Sequence, residues 1–268
     1  MFKSVTLNDI FSLTTASNPS LSPDGSRLIF VETEVSQKSS MARSRIKLIT
    51  IRSGEMRILT RGHSDTSPKF SPDGNTIAFT RPDSNRQKQL WIIPIAGGEP
   101  RQVTFLPGGA FEHSWSPDSE KIAFVSDVNP DEAAESVSNR NSPVREVHRI
   151  RFRADGYGWR GDAFRHIFAY HLGSGGIRQL TYGEGDDHSP IWSPDGQNIA
   201  LIAENRDSRD MTHFTEAWIV SKSGGKPEIR SDGLFAVGAV TWSPNSVNLA
   251  VVGDSDPEMW DPRQCKLY

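Results

Sequence analysis

The chain has 268 residues, a formal net charge of −3 and a single cysteine, Cys265. The small net charge gives no electrostatic reason to expect nucleic acid or an anionic membrane as a partner, and one cysteine excludes an internal disulfide. There is no apolar run long enough for a membrane span or a signal peptide. These properties predict a cytoplasmic protein.

In chain order, residues 1–18 are predicted to be a lead-in segment, and residues 19–268 contain a repeated turn of the type Ser-Pro-Asp-Gly. Its five copies lie at 22–25, 71–74, 116–119, 193–196 and 243–246. Three of the four spacings are 49, 45 and 50 residues, close to the period of about 40–50 residues that is typical of propeller blades. The fourth spacing is 77 residues, which predicts an insertion in the third unit, at about 127–165.

The residue types of this turn suit a tight connection between two antiparallel strands. Proline presets the first corner, aspartate accepts a backbone hydrogen bond, and glycine takes positive φ without a Cβ clash. A short alternating strand follows each turn, and a second strand pair with a Gly-rich turn follows in the first four units. The sequence therefore predicts an all-β fold, a β-propeller of four-stranded antiparallel blades. The fifth unit stops early, which predicts four full blades and part of a fifth.

The repeat, with Trp or Phe before the turn and Ile-Ala-Phe after it, resembles TolB-type propellers and the N-terminal propeller of the prolyl oligopeptidase family of serine peptidases. Two further stretches are similar to the acylaminoacyl-peptidase and dipeptidyl-peptidase-like branch of that family. They are the opening at 7–25 and the segment 151–159, which reads Arg-Phe-Arg-Ala-Asp-Gly-Tyr-Gly-Trp. The resemblance implies a peptide substrate and a C-terminal α/β-hydrolase domain with a Ser-Asp-His triad.

That hydrolase domain is absent from these 268 residues, and no Gly-x-Ser-x-Gly pattern occurs in them. We therefore assign no catalytic residue, no cofactor-binding residue and no metal ligand to the chain, and we expect it to be truncated before the hydrolase domain. Peptide substrate would be engaged together with that missing domain. The chain alone is expected to be inactive, and its oligomeric state is left open.

Four residues are candidates for facing the substrate. Asp65 and Asp187 share one place in the repeat, six residues before the turn serine, where the innermost strand begins. They are interpreted either as ligands for a substrate amine or a cation, or as turn caps that accept backbone N–H bonds, and we favour the caps. Arg151 and Arg153 of the insertion alternate with an aromatic residue and would project from one strand face. They are interpreted as facing a substrate carboxylate or a partner domain, or as part of a solvated charged hairpin, which we favour.

Two other residue sets fit structural roles. The histidines His63, His113 and His188 lie at different distances from the turn, so they do not mark one repeated metal or proton site. The tryptophans at 115, 192 and 242 hold a fixed place in the repeat, which indicates blade packing rather than a sugar platform.

The resemblance leads to a propeller that acts as a substrate-gating lid for a serine peptidase that cleaves short peptides. The alternative is a non-catalytic TolB-like propeller that binds a protein partner.

Overall fold

The structure is a computed structural model, and it describes residues 6–129, 149–150, 152–154, 158–204, 211–212, 214–256 and 265–268. The chain divides into two compact units, Met1–Phe111 and Glu112–Tyr268. A 3₁₀ helix, Leu7–Ser12, precedes the first strand. Within the described residues, no helix has the length and apolar character needed to cross a bilayer.

The first unit contains two antiparallel four-stranded sheets, each with its strands in sequence order. The strands of these two blades are β1 (Thr14–Leu21), β2 (Arg27–Val35), β3 (Ala42–Thr50), β4 (Met56–Ile58), β5 (Thr66–Phe70), β6 (Thr76–Pro82), β7 (Lys88–Pro94) and β8 (Arg101–Gln102). Strand β1 thus begins four residues before the end of the predicted lead-in segment.

The second unit contains a third and a fourth four-stranded sheet, a two-stranded hairpin and a three-stranded sheet. Strand β9 (Phe111–Trp115) begins at the boundary residue of the two units. The other strands are β10 (Lys121–Val128), β11 (Arg153–Ala154), β12 (Gly158–Trp159), β13 (Phe164–His171), β14 (Ile177–Gln179), β15 (Asp187–Trp192), β16 (Asn198–Glu204), β17 (Thr215–Ser221), β18 (Glu228–Ile229), β19 (Ala239–Trp242), β20 (Leu249–Gly253) and β21 (Lys266–Leu267). Among the described residues, the four four-stranded sheets and the three-stranded sheet confirm the prediction of four full blades and part of a fifth.

The repeated turns have the predicted conformation. Gly25, Gly74 and Gly196 have φ of 68°, 73° and 69°, and the serines that replace glycine, Ser119 and Ser246, both have φ of 61°. The turn aspartate accepts the backbone N–H two residues later, as at Asp24, and also the hydroxyl of the turn serine. These bonds hold the pKa of the Asp24 carboxyl at about 2, with the serine hydroxyl as the largest cause. The turn is thus a hydrogen-bonded unit copied from blade to blade.

The innermost strand of each full blade contains a second repeated irregularity. The residue four positions before the turn serine is left-handed: its φ is 49° at Asn18, 53° at Ser67, 40° at Glu112 and 50° at Ser189. In β1, β5 and β15 the pairing register shifts at this place. Positive φ is uncommon for residues other than glycine, and together with the register shift it marks a bulge in β1, β5 and β15 that was not predicted from the sequence.

Side chains that alternate along the strands form the core of each unit. In the first unit the second and third strands contribute Ile29, Ile46, Ile77 and Ile93, all with no exposed surface. In the second unit, Trp115 and Trp192 are buried. The indole Nε1 of Trp242 donates to the carbonyl oxygen of Ile191 in the neighbouring blade at 3.0 Å. These positions agree with the blade-packing interpretation of the tryptophans.

In each full blade, a Thr or Ser hydroxyl just after the fourth strand accepts a hydrogen bond from a backbone N–H of the third strand. The backbone N–H of Ile46 donates to Oγ1 of Thr60 at 3.0 Å, and that of Ile167 donates to Oγ1 of Thr181 at 2.9 Å. The same bond joins Leu90 to Thr104 in the second blade and Ala217 to Ser231 in the fourth. The hydrogen of each hydroxyl remains available to bond to another acceptor.

Candidate functional site

The insertion of the third blade connects β10 to β13, the second strand to the third. In an antiparallel blade this connection lies at the end opposite the Ser-Pro-Asp turn, together with the start of the next innermost strand. Its described part forms the hairpin β11–β12, in which Arg153 pairs with Trp159. The backbone N–H of Arg160 closes the hairpin by donating to the carbonyl oxygen of Phe152 at 2.8 Å.

Three arginines in and beside this insertion converge on one buried carboxylate, Asp186. Nη1 and Nη2 of Arg160 lie 2.7 and 2.9 Å from its two oxygens. The backbone N–H of Arg165 donates to the same carboxylate at 2.8 Å, and Nη1 of Arg149 lies 3.7 Å away. The Arg160 and Asp186 side chains are only 7% and 3% exposed. A forked, charge-assisted pair of this kind fixes both direction and distance.

Two further carboxylates balance the charge of the arginines. Glu204, at the end of β16, lies 3.9 Å from Nη2 of Arg149 and accepts the backbone N–H of Asp186 at 3.3 Å. Asp127, near the end of β10, lies 3.6 Å from Arg160 and 3.4 Å from Arg165. We call Asp127, Arg149, Arg160, Arg165, Asp186 and Glu204 the ionic cluster. Its formal charges cancel, which is the arrangement that a low-dielectric interior requires.

The pKa values of the two aspartates move in opposite directions. Burial would raise the pKa of Asp186, but the hydrogen bonds and charge of Arg160, with the backbone N–H of Arg165 and the charge of Arg149, lower it to about 2. Burial raises the pKa of Asp127 above its ordinary value despite the charges of Arg160 and Arg165. Asp186 is therefore firmly anionic, whereas Asp127 is the carboxylate of the cluster that protonates more readily.

The ionic cluster continues to the left-handed residues of two innermost strands, Glu112 and Ser189. Oε2 of Glu112 accepts the backbone N–H of Ser189 at 2.7 Å, and both residues are left-handed. Nδ1 of His188 lies 3.6 Å from Glu112 and 3.5 Å from Nη1 of Arg165. Burial would raise the pKa of Glu112, but the hydrogen bonds from His188 and Ser189 lower it. These contacts tie the third blade to the fourth through their innermost strands.

Asp65 and Asp187, which the sequence singled out, occupy matching and fully buried positions. The Thr60 hydroxyl donates to Asp65 at 2.5 Å, and the Thr181 hydroxyl donates to Asp187 at 2.6 Å. Nδ1 of His166 lies 3.2 Å from Asp187. Each aspartate therefore bonds to the threonine that follows the last strand of the preceding blade.

The carboxylate of Asp65 also receives two bonds from Arg81. They run from Nε at 2.6 Å and from Nη2 at 2.9 Å. These donors, like the Thr60 hydroxyl, are side chains rather than the backbone N–H groups expected of a turn cap. A role in facing substrate stays a prediction for both aspartates. Because their side chains have no exposed surface, such a role would be exerted through neighbours such as Arg81 and His166.

Of the two insertion arginines that the sequence singled out, the structure describes only Arg153. Arg151 lies outside the described residues, and Arg153 is exposed on β11. The exposure of Arg153 agrees with the interpretation as a solvated charged hairpin. The other three described arginines of the insertion are buried, with side chains at most 10% exposed: Arg149, Arg160 and Arg165. Among the described residues, no group of three or more His, Cys, Asp and Glu side chains is arranged to hold a metal ion.

Comparison with known proteins gives the following relations. The family model described as the TolB beta propeller domain matches residues 9–147. The uncharacterized peptidase YuxL of Bacillus subtilis is 29% identical over 225 residues, which are 82% of this chain and 34% of that protein. The chain thus spans about a third of the length of this relative.

Two solved structures show the same fold. The acylaminoacyl peptidase of Pyrococcus horikoshii matches with a TM-score of 0.71 and 14% identity, over 94% of this chain and 37% of that one. The putative TolB of Agrobacterium tumefaciens matches with a TM-score of 0.58 and 21% identity, over 93% of this chain and 72% of that one.

Proposed function

Because the chain belongs to the TolB beta propeller domain family, we propose that it is the propeller part of a serine peptidase, where it gates the access of short peptides. The observation that carries this proposal is the match to the peptidase YuxL over 82% of the chain. The reaction would be acyl transfer from a peptide to a serine and then to water, on a hydrolase domain outside these residues. The propeller would restrict substrate size and contribute contacts around the entrance.

The ionic cluster supports a gating role in a physical way. Arg149 and Arg160 flank the β11–β12 hairpin in sequence, and both reach Asp186. Asp186 directly precedes the innermost strand of the fourth blade, so ion pairs on both sides of the hairpin hold it in one position relative to that strand. A fixed position is what an element needs if it is to admit some peptides and exclude others.

The proposal is tested on the protein made from the complete open reading frame that contains these residues. We expect a fluorophosphonate probe to label it and peptides of increasing length to be cleaved with falling kcat/KM. The 268-residue chain, by contrast, should not be labelled. An unlabelled full-length protein, or equal cleavage of short peptides and folded proteins, would contradict the peptidase-lid proposal.

A second candidate function is a TolB-like module that binds a protein partner without catalysis. The match to the Agrobacterium TolB structure, which covers 72% of that chain, favours keeping it. The same labelling experiment separates the two candidates, because a non-catalytic module has no nucleophile for the probe. A labelled protein supports the peptidase, and an unlabelled one supports the binding module.

A further inference from the structure

Arg81 is held in one orientation by three groups. Its Nε and Nη2 bond to the fully buried carboxylate of Asp65. Its guanidinium carbon lies 4.9 Å from the centroid of the Trp91 ring and 5.2 Å from that of Phe79, within cation–π range. The side chain keeps 19% of its surface exposed. In the described part of the chain, Nη1 of Arg81 has no hydrogen-bond partner, so an oriented cationic donor remains open.

An open cleft of about 640 Å³ lies beside Arg81 in the first unit. Its apolar wall consists of Trp91, Phe105 and Leu106 with two prolines. The Phe105 side chain is 75% exposed at this wall of the cleft. An aromatic ring left in water at the rim of a cleft offers apolar area that a ligand can cover.

The loop that carries Phe105 is pinned by a buried amide. The side chain of Gln89, 1% exposed, donates from Nε2 to the carbonyl oxygen of Leu106 at 2.7 Å. Its Oε1 accepts the backbone N–H of Leu106 at 3.2 Å and the hydroxyl of Thr104 at 2.8 Å. The aromatic wall of the cleft is therefore a built feature, positioned by bonds from the strand that it adjoins.

The cleft presents one oriented cationic group to a ligand, the guanidinium of Arg81. The Asp65 carboxylate lies behind Arg81 and is fully buried, so the group presented to the cleft is the guanidinium. Asp83 also lines the cleft, but its Oδ1 accepts the backbone N–H groups of Asn85 and Gln87 at 2.8 and 3.0 Å. That carboxylate is turned towards its own loop. A planar carboxylate is the natural acceptor for an oriented guanidinium N–H.

We propose that this cleft binds a peptide carboxylate that has an aromatic or apolar side chain next to it. The carboxylate is received by Nη1 of Arg81, and the apolar group lies against Trp91 and Phe105. The carboxylate comes either from a chain terminus or from an Asp or Glu side chain. The inference rests on the proposed function only in taking a peptide as the ligand.

Ligand-observed ¹⁹F NMR on the full-length protein tests the chemistry with three probes. They are N-acetyl-4-fluorophenylalanine, its C-terminal amide, and an N-acetyl dipeptide amide in which 4-fluorophenylalanine precedes glutamate. We expect the free acid to bind with Kd on the order of 1 mM and the neutral amide at least about tenfold more weakly. Binding of the acid alone identifies a chain terminus as the source, and binding of the capped dipeptide identifies an acidic side chain. Equal binding of the acid and the amide, or no binding of either carboxylate probe, overturns the proposal.

Matched variants locate the binding. Arg81→Gln alone leaves Asp65 as an unpaired buried carboxylate, so it is combined with Asp65→Asn to keep the pair neutral. This double variant should lose at least about tenfold in affinity for the acid. Phe105→Ala should lose about threefold without affecting the fold, because the ring is 75% exposed. Arg101→Gln removes an exposed charge that does not line the cleft and should bind as the wild type does.

If the double variant and Phe105→Ala both bind the acid as the wild type does, the cleft is not the site and the inference is wrong. Fluorophosphonate labelling of the same preparation reports separately on peptidase function. A protein that is labelled but does not bind the acids contradicts the cleft alone. A protein that binds the acids through Arg81 but is not labelled contradicts the peptidase proposal alone.

Discussion

Replacing Asp186 with a neutral residue should lower the free energy of unfolding of the second unit more than breaking an exposed ion pair does. Asp186→Asn keeps the size of the side chain and one acceptor oxygen, so the N–H of Arg165 can still be bonded. It removes the charge that faces both nitrogens of Arg160 at 2.7 and 2.9 Å. The ionic cluster would then hold three arginines against two carboxylates, one of them the more easily protonated Asp127.

Two routes give the size of the effect. Removing one partner of a buried ion pair costs about 3–5 kcal/mol. A folded-state pKa of about 2 for Asp186, set against about 3.9 in an unfolded chain, corresponds to about 2–3 kcal/mol of stabilisation at neutral pH. We therefore expect Asp186→Asn to lower the free energy of unfolding by about 3 kcal/mol.

Urea denaturation followed by circular dichroism measures this loss. Glu228→Gln is a matched control, because Glu228 pairs with Arg230 at the surface, where the two side chains are 67% and 49% exposed. Exposed pairs contribute less than about 1 kcal/mol. A loss below about 1 kcal/mol for Asp186→Asn, or equal losses for the two variants, would refute the view that the ionic cluster holds the insertion in place.

Acid denaturation gives a second test of the role of Asp186. The folded pKa of Asp186 is depressed, so its stabilisation is present above pH of about 4 and is lost as the pH falls towards 2. Asp127 has the opposite sign: its folded pKa is raised, so protonation on acidification favours the folded state. Asp127→Asn should therefore cost less than Asp186→Asn at neutral pH. Acid unfolding that is unchanged in Asp186→Asn would contradict this assignment.

Three further variants test the repeated features. Gly196→Val should destabilise the fourth blade by on the order of 1–2 kcal/mol, because φ is +69° and a Cβ would lie 3.1 Å from Pro117. Thermal melting measures this loss, and an unchanged Tm would contradict the prediction. Thr181→Val removes the hydroxyl bonded to Asp187 and to the N–H of Ile167. Urea denaturation should show a free energy of unfolding lower by about 1–3 kcal/mol, whereas a Thr→Val change at an exposed position should have little effect. Glu112→Gln should speed hydrogen exchange at the N–H of Ser189, which the carboxylate accepts at 2.7 Å; exchange as slow as in the wild type would show that the carboxylate charge is not needed.

The blades could be predicted from the sequence because their signals are local. The turn places serine, proline, aspartate and glycine within four residues, and each residue acts on its immediate neighbours. The bulges carry a local signal too, since Ser67 and Ser189 both precede proline in the repeat. No rule predicts left-handed φ from that pair, because the residue before proline usually adopts extended conformations.

The partners of the candidate residues could not be predicted, because they come from strand pairing and blade packing. Arg81 lies 16 positions after Asp65, and Arg160 lies 26 positions before Asp186. The sequence favoured a solvated hairpin for Arg151 and Arg153, and it gave no sign that Arg149, Arg160 and Arg165 are buried. The adjacent Asp186 and Asp187 were the one signal in the sequence for buried ion pairs. Two neighbouring carboxylates at the start of a strand need positively charged partners if they are buried.

The bonds from Thr60 to Asp65 and from Thr181 to Asp187 have a consequence for synthesis on the ribosome. Each hydroxyl ends one blade, and its acceptor lies only five or six residues further along, at the start of the next. A nascent blade can thus pair its four strands as it emerges, but its closing hydroxyl stays unsatisfied until those few residues follow. During folding from the N-terminus, the first and third blades would then each be locked by the first residues of the next blade, whereas the Thr104 hydroxyl of the second blade bonds to Gln89 within that blade.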